Sequence, residues 1–131
     1  GPRDMASDSV FMARRDKGHK EKQSVDRAEF IQSVTVILDD MQQGLFDRAL
    51  ARREEATKTI DSKEDFYNHF EGEGAGFVYA HFCGDPALED KIKTDLKVTL
   101  RCIPLVGHDE EGTCIFSGKP SKQRVLWAKS Y

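Results

Sequence analysis

Between Phe30 and about Thr57 the apolar residues fall at helical spacing. Ile31, Val34, Leu38, Met41 and Leu45 lie three or four apart, and Phe30 and Ile37 widen that line into a stripe suited to burial on one side. The pattern predicts a helix reaching on the order of 40 Å at 1.5 Å per residue. Ser24 stands where a helix cap belongs, with Asp26 and Glu29 suited to the first turns. A coiled coil would use the same positions, but Arg48 takes the next one, leaving only about two heptads. Packing within the chain is therefore expected. Ahead of the helix, Ser9 to Arg15 alternates loosely and reads as one strand that needs partners from outside this chain. Arg14 to Lys22 follows as a polar turn with five Lys/Arg against two acids. Such a cluster is either a solvated loop or a phosphate contact.

A second body is predicted from about Ile60, so the helix reads as a strut between two folded parts. Ser62-Lys63-Glu64-Asp65 has the form of a capping box, and Phe66 and Phe70 lie one turn apart behind it. Gly72, Gly74 and Gly76 end that short helix. Phe77 to Phe82 is aromatic and β-branched, as a central strand requires. Asp85-Pro86 then opens a helix burying Leu88, Ile92 and Leu96. Val98–Ile103, Cys114–Phe116 and Arg124–Ala128 read as three further strands, with Cys102 in the core. The fold class is a small α/β (α+β) domain with a three- to four-stranded sheet and two short helices, carried on the long helix. The boundaries are 1–23 for the strand remnant, 24–59 for the linker helix and 60–131 for the second body.

With 38% hydrophobic and 33% charged residues, the chain is polar for a self-contained globule, and part of its apolar surface is expected to be matched by other sequence. A net charge of −3 argues against wholesale coating of nucleic acid. No run is apolar enough for a membrane span or a secretion signal, and three widely spaced cysteines suit a reducing compartment; a cytoplasmic location is expected. Gly1-Pro2-Arg3-Asp4 lacks an initiator methionine, which points to an internal start within a larger protein, or to a protease-site remnant at Gly1-Pro2.

A body of about 70 residues buries a marginal core, so a staple is expected. Cys83 and Cys114, each at a turn, supply half of a tetrahedral zinc site, and the other half is hard to find.

Several segments together carry a resemblance. His81-Phe82-Cys83-Gly84-Asp85, Arg101-Cys102-Ile103-Pro104, Gly118-Lys119-Pro120-Ser121 and Ala128-Lys129-Ser130-Tyr131 are similar to the C-terminal domain of the prolyl-tRNA synthetase family, of the archaeal and eukaryotic-like type. Gly1-Pro2-Arg3-Asp4 with Arg14-Arg15-Asp16 resembles the end of that family's anticodon-binding domain, and Leu45-Phe46-Asp47-Arg48-Ala49 its linker helix. The resemblance makes Gly1-Pro2 natural sequence. It implies a class II aminoacyl-tRNA synthetase as parent, a ligase using ATP and magnesium to attach proline to its tRNA, with a catalytic core that is absent here. The fragment alone would be inactive. Its partners would be the catalytic and anticodon-binding domains of the same parent chain, tRNA(Pro) through that parent, and a second parent chain in a homodimer, with no membrane. Arg3, Arg14, Arg15, Lys17 and Lys20 become candidates for tRNA contact. Tyr131 becomes the candidate for a supporting catalytic role, its terminal carboxylate lying near the proline and adenylate site.

The resemblance also implies a departure. Zinc-bearing relatives use four cysteines, and the matching positions here are Cys83, Leu88, Cys114 and Ser117. Leucine cannot coordinate and a neutral serine hydroxyl is a poor zinc ligand. His81, Asp85 or His108 could substitute, His81 only weakly because alternation places it on the strand face of Cys83. Zinc is therefore not expected, and Leu88, Ile92, Phe116 and the strand Phe77–Phe82 are expected to stabilise the body instead. Two readings compete with an enzyme fragment: a free-standing RNA-binding module gripping RNA through its basic stub and tail, and a helix-mediated interaction protein using Phe30 to Leu45.

Overall fold

The computed structural model describes residues 1–72 and 76–130. Contacts divide the chain into two compact units, Gly1–Leu50 and Ala51–Tyr131, and the division falls inside the long helix.

The first unit opens with a short helix, α1 (Pro2–Ala6), in a region expected to be extended. Strands β1 (Ser9–Ala13) and β2 (Lys22–Asp26) then form an antiparallel hairpin, Val10 opposite Val25 and Met12 opposite Gln23. The first strand thus finds its partner within the chain, in the stretch read as a polar turn and cap. Ser24 consequently sits mid-strand, and Asp26 takes over the capping role. Its Oδ1 accepts from the backbone N–H groups of Ala28 (2.8 Å) and Glu29 (3.1 Å), satisfying donors left open at a helix start. The helix α2 runs Arg27–Glu55.

Only part of the predicted stripe is covered. Phe30, Val34, Ile37 and Met41 are half-buried, whereas Ile31, Leu38 and Leu45 are exposed. The hairpin explains the difference: two five-residue strands cannot cover an apolar stripe over 100° wide. Met12 of β1 and Ile37 of α2 line the same shallow cavity.

In the second unit, α2 stops at Glu55 rather than running on to residue 59. Thr57–Thr59 forms the edge strand β3, parallel to β4 (Phe77–His81). Between them lies α3 (Lys63–Glu71), capped as its sequence predicts: the Ser62 hydroxyl accepts from the Asp65 backbone N–H at 3.0 Å. Gly74 lies outside the described residues. After β4 comes α4 (Pro86–Leu96), where the Asp85 carboxylate accepts from the Ala87 N–H and Pro86 takes the first position. The chain continues through β5 (Val98–Cys102), the two-residue strands β6 (Gly112–Thr113) and β7 (Pro120–Ser121), and β8 (Arg124–Lys129). The main sheet has the order β3-β4-β8-β5, with β8 antiparallel to both of its neighbours.

Alternation along β4 and β8 sends Val78, Ala80, Val125 and Trp127 to one face, where Phe66 and Phe70 of α3 and Ile92 and Leu96 of α4 are buried with them. Trp127 is the centre of this core. Fully buried, it meets Phe66, Phe82 and Phe116 edge-on, with ring centroids 5.1–5.7 Å apart. Such pairs add about 0.5–1.5 kcal/mol each beyond their area.

Candidate functional site

The β6–β7 hairpin carries the turn that holds Cys114. This stretch, read as a strand from its apolar residues, is not extended. The Cys114 N–H donates to Lys119 O (2.8 Å) and the Gly118 N–H returns to Cys114 O (2.9 Å), so the backbone curls around the sulfur. Gly118 has φ +71°, a conformation costly for residues with a Cβ. The Ile115 N–H donates to His81 O (3.2 Å), which fastens the turn to the end of β4 just before Cys83. Cys83 Sγ lies 3.4 Å from Ser117 Oγ.

Cys114 itself is buried. Burial pushes its thiol pKa up, but hydrogen bonds from the Ser117 hydroxyl and from the backbone N–H groups of Phe116, Ser117 and Cys83 outweigh that. The net result is a thiol held below its ordinary value. Leu88, on the first turn of α4, packs with Cys83 and Phe116 against the aromatic core. The Lys119 ammonium reaches the Asp85 carboxylate at 3.2 Å, joining this turn to the cap of α4 and holding the Asp85 carboxyl below the usual carboxylate range.

The three possible substitute ligands are engaged elsewhere. His81 is buried, its Nδ1 3.2 Å from Ser121 Oγ and its Nε2 3.6 Å from Glu110. The single Ser121 hydroxyl proton lies within reach of two backbone carbonyls, Phe82 O at 3.0 Å and Gln123 O at 2.9 Å. Gly112 lies flat against the imidazole, and any Cβ there would enter the ring. Asp85 caps α4, as described above. His108 stacks on Tyr79, with centroids 3.8 Å apart and planes 24° from parallel. Among the described residues, no three His, Cys, Asp or Glu side chains gather as a metal site.

A family model described as "Prolyl-tRNA synthetase, C-terminal" matches residues 54–131. Across its full length the chain is 48% identical to Proline--tRNA ligase 2 of Anaeromyxobacter dehalogenans, of which it covers 28%. It is 46% identical to the Proline--tRNA ligase of Bdellovibrio bacteriovorus, covering 27%, and 44% identical to that of Chloroherpeton thalassium, covering 28%. The chain belongs to the prolyl-tRNA synthetase family. It spans just over a quarter of the length of these relatives and corresponds to the C-terminal part of such a larger chain.

In a prolyl-tRNA synthetase C-terminal domain with this sequence, the four zinc positions do not supply a zinc donor set. Cys83 and Cys114 offer sulfur, Ser117 offers a hydroxyl already within reach of Cys83, and Leu88 offers only hydrocarbon.

The basic candidates separate into two groups. Arg14 is tied to Asp16 (2.7 Å) and Asp40 (2.6 Å), which raises its own pKa and lowers that of Asp16. That guanidinium is committed within the protein. Arg3, Arg15, Lys17 and Lys20 are exposed. The basic tail is also largely internal structure. Lys119 pairs with Asp85, Arg124 with Asp61 (2.5 Å) and Glu110, and Lys129 Nζ donates to Phe70 O (3.0 Å). Sequence spacing gave no sign of these pairings, because their partners lie 34, 63, 14 and 59 residues away. Tyr131 lies outside the described residues.

Proposed function

We propose that this chain is the structural C-terminal part of an enzyme that attaches proline to tRNA(Pro) with ATP and magnesium, inactive without the catalytic core of its parent. The observation that carries this reading is alignment of the entire chain, at 44–48% identity, with part of proteins named as proline–tRNA ligases. In this reading the body formed around Trp127 is a scaffold that holds the chain's end. The carboxylate of Tyr131 supports the proline and adenylate site of the parent. Arg3, Arg15, Lys17 and Lys20 face tRNA, the parent works as a homodimer in the cytoplasm, and the body folds without zinc. No helix among the described residues is long and apolar enough to cross a membrane. Deleting Tyr131 in the complete ligase tests the scaffold role. Aminoacylation is expected to fall roughly tenfold to a hundredfold, the loss that follows from misplacing reacting groups by about 1 Å. Unchanged aminoacylation would overturn the role of Tyr131.

A further inference from the structure

The chain leaves β8 held by three other elements. The Ser130 N–H donates to the carbonyl of Lys97, the cap of α4, at 2.6 Å, and the Ser130 and Thr99 hydroxyls lie 3.3 Å apart. Lys129 Nζ donates to Phe70 O near the end of α3, at 3.0 Å. One more tie comes from an edge strand: the Arg101 guanidinium donates to Lys129 O at 2.7 Å. Arg101 falls where the register of β5 on β8 shifts, between Leu100 opposite Trp127 and Cys102 opposite Leu126. Such a bulge leaves one residue unpaired and re-aims its side chain. Here that side chain reaches back along β8 to a carbonyl two residues beyond Trp127. Arg101 and Lys129 are both exposed, and an exposed side chain of this kind contributes little to folding stability. What the bond determines is geometry.

We infer that Arg101 is a positioning residue for the end of the chain: the bulge in β5 aims its guanidinium onto Lys129 O, and that bond sets the orientation of the peptide from which the last residues depart. This rests on the reading that the Tyr131 carboxylate supports the proline and adenylate site. The Lys129 carbonyl and the Ser130 N–H belong to one planar peptide unit. Arg101 grips its oxygen and Lys97 O its N–H, so the plane is held from opposite edges. With one grip lost, the plane can swing about the other. Successive Cα atoms lie only about 3.8 Å apart, so a swing at this peptide is carried directly into the residue bonded to Ser130. Arg101 touches no reacting atom in this scheme and acts through Tyr131 alone.

The test is made in the complete ligase with Arg101→Ala, Arg101→Lys, deletion of Tyr131, and Arg101→Ala combined with that deletion. Arg101→Ala should lower the kcat of aminoacylation about tenfold while leaving the KM for tRNA within about twofold, the split expected of lost alignment rather than lost binding. Arg101→Lys keeps a charged donor for the single carbonyl and should recover part of the loss. The melting temperature of each Arg101 variant should match that of the wild type. Once Tyr131 is deleted, Arg101→Ala should cost nothing further. The inference alone is overturned if Tyr131 deletion lowers aminoacylation but Arg101→Ala does not, or if Arg101→Ala costs as much without Tyr131 as with it. A fall in melting temperature that Arg101→Lys fails to reverse would also overturn it, by showing a purely structural role. Unchanged aminoacylation after Tyr131 deletion would overturn the Tyr131 reading and this inference together.

Discussion

The Cys83 sulfur lies 3.4 Å from the Ser117 hydroxyl, across the place where two sulfur ligands would face each other if Ser117 were a cysteine. Backbone bonds from Cys114 to Lys119 and from Gly118 to Cys114 shape this turn. In the zinc-free reading proposed above, ligand identity is the missing part. Replacing Leu88→Cys together with Ser117→Cys is expected to create a four-thiolate site. The double variant should bind cobalt(II) with the intense thiolate charge-transfer absorption of tetrahedral coordination, and the wild-type chain should not. Equal absorption from both proteins would show that Leu88 and Ser117 do not mark the site.

In the zinc-free reading proposed above, the body is stabilised by aromatic packing around Trp127. Trp127→Ala would empty the centre of the aromatic cluster, at a cost of about 3–5 kcal/mol, a large part of the stability of a small domain. The variant should unfold the second unit at or near room temperature, read by near-UV circular dichroism and urea midpoint. Trp127→Phe makes a sharper comparison. The indole Nε1 is buried with no hydrogen-bond partner among the described residues, so the phenyl ring removes an unsatisfied donor while losing some volume. Its effect should be clearly smaller than that of alanine.

The sequence made those features legible that local chemistry dictates. The Ser62 and Asp85 caps, Pro86 at a first turn, the buried pair Phe66 and Phe70, and the strands of Phe77 and Trp127 each follow from neighbours a few residues away. Long-range pairing was not legible. Thr57–Thr59 is short and polar and becomes a strand only because β4 lies beside it, and Lys22–Asp26 only because β1 does. Cys102 illustrates a subtler failure. Alternation assigns it to the face of Leu100, but the register of β5 on β8 shifts between those two residues. Cys102 then stands opposite Leu126, and it is exposed. Cys114–Phe116 has strand-like residues, yet its hydrogen bonds close a turn, a choice set by backbone partners that composition does not reveal. The commitments of His81 to Ser121 and of Arg14 to Asp40, partners far away in sequence, were not legible.

Tyr67 links α3 to α4, its hydroxyl donating to the Asp95 carboxylate at 2.8 Å. Burial, and secondarily that hydrogen bond, pushes the phenol from 10.0 up to about 12. Because the folded chain then binds this proton more tightly than the unfolded chain, the contribution is fully present below pH 10 and is lost as pH rises towards 12. Urea midpoints measured across this alkaline window should fall for the wild-type chain. Tyr67→Phe should flatten that part of the curve, and an unchanged slope would show that Tyr67 titrates normally.

The account depends most on the proposal that the second body folds by aromatic packing without zinc. Its direct test is zinc content of the purified chain by elemental analysis, paired with thermal unfolding before and after a strong chelator. The expected result is no stoichiometric zinc and an unaltered melting temperature. One tightly held zinc per chain, with a melting temperature that drops when the chelator removes it, would contradict the account.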